Sequence, residues 1–344
     1  MHLVKTSEKY FKVDPWLVVE EGFDPAKQRL SESIFSVANE FMCVRGYFEE
    51  GYSGDHLLGS YFSQLYDLMD IKYPQRFKGF ITEGATMLNA VDWLYTRISV
   101  DGEELDLAKV KFSDFRRTLD LRNAILKREF LWTTAQNKQL RITFLRFTNM
   151  VDTAMGCQRI IFEPLNFSGE VKVCSGLDFD TIYELAAGWD QTEGTGSSLE
   201  KKENLNFWTC QRKELTDGLY CIQARTERSK INLFSSFRLV ADQTVNPRYV
   251  EREKFVGAEF SLQLQKNQAT AFDKLVVNHW EETGGGEQVW QNGLRLAKKY
   301  SAVTYEGAFE NHKQFWSDFW RRMDIEIEGD PELQQGVRYS IYTV

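Results

Sequence analysis

The sequence predicts a mainly β protein, a large antiparallel sandwich followed by a helical segment. Two observations carry this. From about Trp93 to Leu264, short alternating or apolar runs follow one another, separated by Gly, Asn and Asp; after about Lys266 the apolar spacing widens to three and four. The aromatic share of 14% is high and suits the bulky cores of wide sheets.

In chain order, residues 93–100 alternate, Asp101 and Gly102 supply a turn, and 103–107 return, which is a hairpin signal. Further strands are expected at 119–121, 126–132, 140–144, 158–162, 171–174, 206–210, 220–224, 231–237 and 258–264. Residues 188–204 are polar and glycine-rich and read as a long loop. Residues 289–300 and 305–323 have helical spacing, with Phe309, Phe315, Trp316, Phe319 and Trp320 on or near one face of the second. A last helix opens at Asp330 as N-cap with Pro331 in the first helical position. Leu333, Val337, Ile341 and Val344 form its apolar stripe, which nothing later in the sequence covers. The expectation is that a further domain begins here; a tail helix folding back on the preceding residues is the alternative. The expected division is a sandwich at 1–265, a helical linker at 266–323 and the start of a truncated domain at 324–344.

The net charge of -8 argues against a surface that tracks nucleic-acid phosphates. No apolar run reaches the roughly 18 residues needed to span a membrane. The start, MHLVKTSEKY, lacks the apolar core of a secretory signal. Five widely spaced cysteines, an odd number without a CxxC pair, read as reduced thiols. Together these lead to the expectation of a cytoplasmic protein.

Motifs for common chemistries are missing. Gly194-Thr195-Gly196 lacks the third glycine of a dinucleotide fingerprint, and no P-loop lysine occurs. The four histidines are scattered outside any HExxH setting, and no GxSxG elbow is present. Glu49-Glu50 is the one conspicuous acid pair, but neighbours on a strand point apart and cannot flank one bond, so a loop or N-terminal turn with structural hydrogen bonds is the expected reading.

The informative stretch is 32–61, ESIFSVANEFMCVRGYFEEGYSGDHLLGSY. Gly46, Gly51, Gly54 and Ser53 interrupt an apolar, strand-like run, and Arg45 with two acids sits among Tyr47, Phe48 and Tyr52. A strand leading to a tight, polar, aromatic loop is a place where one domain grips another or meets a ligand.

These residues resemble glycoside hydrolase family 65, the family of maltose, trehalose, kojibiose and nigerose phosphorylases. The likeness lies in Glu32-Ser33-Ile34-Phe35, Asn39-Glu40-Phe41-Met42, Val44-Arg45-Gly46 and Glu49-Glu50-Gly51-Tyr52. It continues in Pro164 and the strand-rich middle, and returns in GDPELQQGVRYSI at 329–341. The resemblance implies an N-terminal β-sandwich (a super-sandwich), a helical linker, an (α/α)6 catalytic barrel of which only the first helix is present, and a small C-terminal β-domain. It also implies inverting phosphorolysis of an α-glucosidic disaccharide to β-glucose 1-phosphate, with inorganic phosphate as cosubstrate of the parent enzyme. The family's general acid and phosphate-binding residues lie in the barrel, beyond Gln334-Gln335-Gly336. The resemblance therefore assigns no catalytic residue, cofactor or metal ligand here, and the chain alone is expected to be inactive. Its implied partners are its own missing barrel, an α-glucosyl disaccharide and a second copy in a homodimer.

Within these residues, Arg45, Glu49, Glu50 and Tyr52 are the candidates for a substrate rim or a domain interface, with Arg45 alternatively paired to a buried carboxylate. A stand-alone carbohydrate-binding module is the competing function, suggested by the aromatic content and Trp189. An aldose-epimerase-like activity is a third; it needs a positioned His, and none lies between His56 and His279.

Overall fold

The Asp101-Gly102 turn adopts the left-handed backbone that a two-residue hairpin needs, with φ of +51° and +83°. It joins strands Thr96–Val100 and Glu103–Glu104, with Ser99 opposite Glu104. The computed structural model describes residues 10–70, 78–184, 204–282 and 285–343. Trp189, Gly194-Thr195-Gly196, most of the loop expected at 188–204, and Val344 lie outside the described residues.

Two antiparallel sheets face each other. The larger has ten strands in the order Phe11–Val13, Leu17–Glu21, Lys111–Asp120, Ile125–Thr133, Gln139–Thr148, Met155–Pro164, Thr270–Glu281, Asn232–Ala241, Leu219–Thr226 and Trp208–Thr216. The smaller has Arg248–Arg252, Phe255–Leu264, Gly169–Asp178, Thr96–Val100 and Glu103–Glu104. Strict alternation builds the core between them: in Ile125–Thr133 the buried positions are Leu126, Arg128, Phe130 and Trp132.

Among the described residues four α-helices accompany the sheets: α1 Gln28–Ile34, α2 Gly286–Lys299, α3 Tyr305–Met323 and α4 Pro331–Tyr342. The first corrects the strand-like reading of 32–61, because Glu32 to Ile34 end a helix and the strands that follow are the short Val37–Ala38 and Met42–Val44. Helix α2 covers the outer side of the ten-stranded sheet. Its Trp290 meets the Phe234 ring edge-on at 5.2 Å, and a side chain at Gly293 would collide with that same ring.

The boundary expected at 265 is also corrected. Strand Thr270–Glu281 lies inside the ten-stranded sheet, bonded to Met155–Pro164 on one side and Asn232–Ala241 on the other. Asp273 and Lys274 hide this strand from pattern reading. Asp273 bonds Arg159 at 2.6 Å, while Lys274 is fully buried and donates to the carbonyls of Tyr95 (3.2 Å) and Gly176 (2.5 Å) across the sandwich. Burial holds the Lys274 ammonium down to about 7.

Helix α4 starts as expected, with the Asp330 carboxylate accepting from Leu333 N at 2.9 Å. The expected apolar stripe is only partly covered: Leu333 is 53% exposed, Val337 is half-buried and Ile341 packs against the core. The docked face is polar. Gln335 donates to the carbonyls of Lys12 and Leu17, Arg338 to that of Pro15, Tyr339 to that of Ile34 and Tyr342 to that of Ser36. The helix folds back onto the edge strands and α1, where orphan carbonyls need donors.

Helix α3 is seated by Tyr305, Ala308, His312, Trp316 and Trp320. The Nε2–H of His312 donates to the carbonyls of Asn123 (2.9 Å) and Ala124 (3.3 Å), leaving Nδ1 buried and unprotonated. Burial lowers its pKa to about 4, against about 6.5 in an unfolded chain. The unfolded state therefore binds the extra proton first, and this stabilisation is complete above pH 6.5 and lost as the pH falls towards 4. Denaturant titrations between pH 7 and 4 should show a loss of about 3 kcal/mol attributable to this site. The His312→Asn variant should lose less stability than the parent over the same window; parallel losses would remove His312 as the cause.

Candidate functional site

Residues 45–52 cross the interior between the sheets as an irregular strap. Helix α1 hands over to it through the bond from Gly46 N to Glu32 O at 2.7 Å. A Cβ on Gly46 would come within 2.8 Å of Phe35 Cβ, so only glycine fits this crossing. The turn from Phe48 to Gly51 closes at 3.1 Å with Gly51 at φ +87°, and the Arg97 guanidinium lies against Gly51 where a side chain would project.

That turn overturns the expectation that Glu49 and Glu50 diverge. Both carboxylates meet the Arg128 guanidinium: Nη1 reaches Glu50 Oε1 at 2.7 Å and Nη2 reaches Glu49 Oε2 at 2.7 Å, with a further short Nη2 contact to Glu50. Arg146 Nη1 holds the other Glu49 oxygen at 3.0 Å and also the Tyr47 carbonyl at 3.0 Å, while Nη2 takes the Arg45 carbonyl at 2.8 Å. Beside them, Arg117 forms an ion pair with Glu20 at 2.8 Å and donates to Gly46 O and Gln28 Oε1, each at 2.9 Å. Tyr47 completes the row by donating to Asp92 at 2.7 Å.

Sheet register explains why these groups assemble. Arg117 lies directly opposite Arg128, and Arg146, Gln158 and Lys274 lie opposite one another on three successive strands. Like charges set side by side are tolerable only because the strap brings carboxylates and carbonyls to them. The partner arginines were not singled out from sequence. A signal was present: Arg128 is in phase with Leu126, Phe130 and Trp132, so a cation stands where the alternation demands a buried residue.

The two acids titrate apart. Burial alone would raise Glu49, but Arg146 and Arg128 outweigh it and hold Glu49 below the usual carboxylate range. Burial raises Glu50, with Arg128 opposing and the Glu49 charge adding to the rise. Such a split marks many acid–base sites, yet buried ion networks produce it too. Here the carboxylates are 3% and 1% exposed, with their oxygens committed to guanidinium groups. Glu49 and Glu50, expected at a substrate rim or a domain interface, are enclosed between the strap and the ten-stranded sheet.

The other two candidates are also bound into the fold. Arg45 donates to the carbonyls of Leu57 and Arg29, each at 3.2 Å, where the alternative reading had placed a carboxylate. Tyr52 packs edge-on against Phe23 and Phe48 at 5.7 and 5.5 Å. Among the described residues no group of three or more His, Cys, Asp and Glu side chains could hold a metal ion. All five cysteines are free thiols.

Of the clefts that open elsewhere, two lie near polar and aromatic side chains. One of 510 Å³ lies between α3 and the 121–123 turn, beside Trp16. Its indole is covered by the Arg122 guanidinium at 4.4 Å and that of Arg338 at 3.8 Å, and meets Trp320 edge-on at 5.1 Å. The other, of 680 Å³, lies on the outer face of the five-stranded sheet.

Comparison with known proteins places this geometry. The model of the N-terminal domain of glycosyl hydrolase family 65 matches residues 18–319. The chain is 25% identical to an α,α-trehalose phosphorylase of Thermoanaerobacter brockii, covering 98% of this chain and 43% of that protein. It is 26% identical to the maltose phosphorylase of Bacillus subtilis (strain 168), covering 98% and 42% respectively. A solved structure titled a putative kojibiose phosphorylase from human microbiome superposes with a TM-score of 0.85 at 28% identity, over 97% of this chain and 42% of that one. The chain thus spans about two fifths of the length of these relatives.

Removing one partner of a buried ion cluster strands the other charges. Arg128→Ala should therefore cost about 3–5 kcal/mol in denaturant unfolding at pH 7. At the same pH, Glu49→Gln should destabilise more than Glu50→Gln, because the fold favours the ionised form of the first and the neutral form of the second. The reverse order would contradict the assigned split.

Proposed function

Since the chain belongs to the N-terminal domain of glycosyl hydrolase family 65, we propose that it is the sandwich-and-linker part of a disaccharide phosphorylase. In this reading the whole protein cleaves an α-glucosyl disaccharide by inverting phosphorolysis. A carboxylic acid protonates the leaving oxygen while inorganic phosphate attacks the opposite face of the glucosyl carbon, giving β-glucose 1-phosphate and a free sugar. Phosphate is then a cosubstrate of the whole protein, and the residues described here need no cofactor of their own.

The observation that carries the reading is the full-length superposition at TM-score 0.85 onto 42% of a larger structure titled a phosphorylase. The buried state of Glu49 and Glu50 agrees with it, since the conspicuous acid pair of this chain has no access to a substrate. The role of these residues is to hold a scaffold on which a catalytic region is set. The division proposed is a sandwich through Glu281, a linker of α2 and α3, and α4 as the element that leads into an (α/α)6 barrel. Arg45, half-buried where α1 meets the strap, is the one sequence candidate we keep for a contact with that barrel. Homodimerisation and a cytoplasmic location complete the proposal. No helix of the described residues is long and apolar enough to cross a membrane.

The test is direct. The 344-residue chain, incubated with trehalose, maltose or kojibiose and inorganic phosphate, should release no glucose 1-phosphate above the enzyme-free rate. Turnover within the usual range of about 1–10³ per second would overturn the reading.

A further inference from the structure

Arg117, Arg128, Arg146 and Arg338 are buried cations, and each has a carboxylate: Glu20, the Glu49–Glu50 pair, Glu49 and Asp324 respectively. Lys274, fully buried on an interior strand of the ten-stranded sheet, has no such partner among the described residues. Its Nζ crosses the sandwich to two carbonyls, Tyr95 O at 3.2 Å and Gly176 O at 2.5 Å, and lies 4.9 Å from the centre of the Phe237 ring. The two carbonyls belong to one junction of the smaller sheet, since Gly176 N donates to Tyr95 O at 3.0 Å. The N–H of the next residue, Thr96, holds Glu49 O at 2.9 Å, so the strap is anchored beside the same junction.

We infer that Lys274 is a pH-sensitive bolt between the two sheets, which closes the sandwich more firmly as the pH rises through neutrality. A neutral amine has two N–H groups, one for each carbonyl, and leaves no charge in the core. An ammonium in the same place makes the same two bonds but carries a buried charge without a counter-ion. The groups around it do not supply one. The Oδ1 of Asp92 accepts from the Tyr47 hydroxyl at 2.7 Å and from Leu94 N at 3.1 Å, and burial raises this carboxyl. Asp178, bridged to Asp92, is raised by burial as well, and so is the Cys174 thiol on the strand of Gly176. Two further cations stand near: Arg97 is committed to Glu49 O, and Arg146, along the row from Lys274, is neutralised by Glu49. Asp273 points to the opposite face of its strand, where Arg159 holds it. Burial therefore dominates the amine, with Asp92 and then Cys174 opposing it, and its pKa in the fold is about 7 against 10.5 for a free lysine. Between those values the unfolded chain binds the additional proton, so stability climbs with pH across that window and is level below it.

The bolt stands or falls apart from the phosphorylase reading, and the 344-residue chain is enough to test it. With 13C-labelled lysine, one Cε resonance should titrate near pH 7 while exposed lysines titrate near about 10.4. That resonance should be missing from Lys274→Met, which keeps the length of the side chain and removes its proton. In urea unfolding from about pH 7 to about pH 9, the unfolding constant of the native chain relative to that of Lys274→Met should fall about tenfold per pH unit. The ratio cancels the tyrosines and thiols that titrate over the same range. If Lys274→Met fails to fold, Lys274→Gln, which retains donors for the carbonyls, replaces it, and the resonance of the native chain is read in either case. The inference is overturned if no lysine titrates near neutrality, if the resonance that does so survives in the variant, or if the ratio stays flat across the range.

Discussion

One guanidinium organises this molecule. Arg128 projects from the middle of the ten-stranded sheet into a core of aromatic rings, with Phe48 and Phe144 each 4.2 Å from its central carbon. A cation in that place is tolerable only if carboxylates reach it, and the strap at 45–52 brings Glu49 and Glu50. The need works in both directions. The strap has no regular strand partner of its own, and its carbonyls at Arg45, Gly46, Tyr47 and Glu49 are satisfied by Arg146, Arg117, Arg146 and Arg97. Sheet and strap each supply what the other lacks, so neither arrangement stands without its counterpart.

The same physics explains how a scaffold can imitate a catalytic centre. Two adjacent acids with opposite shifts, flanked by arginines and aromatics, satisfy every electrostatic mark of an acid–base pair. Access distinguishes them. A reacting carboxyl must keep an oxygen free for the substrate, whereas these oxygens are spent on guanidinium groups in a water-excluded interior.

Helix α4 shows a second way of joining parts. Its buried face, Gln335, Arg338, Tyr339 and Tyr342, donates to main-chain carbonyls of the edge strands and α1. Main-chain acceptors are present whatever the side chains are, so such a contact constrains the helix much more than the surface that receives it. The apolar stripe that periodicity picked out was the weaker guide, because edge strands and helix ends ask for donors before they ask for apolar cover.

Residue patterns alone reach the class of fold, the 101–102 hairpin, the nine further strands at least in part, and the N-cap of α4. These depend on short-range rules of alternation, turn chemistry and capping that act within a few residues. Pattern reading misplaced Thr270–Glu281, since Asp273 and Lys274 break the apolar run of a strand that is central. It expected a loop or turn with structural hydrogen bonds at Glu49 and Glu50, and a turn forms there, but strand alternation gave no sign that both carboxylates meet. The convergence of Glu49 and Glu50 on Arg128, 79 and 78 residues further along, and the reach of Lys274 to Gly176 across the sandwich belong to the folded chain. Those pairings come from strand register between distant segments, and the stability of a buried charge depends on which partner the register delivers.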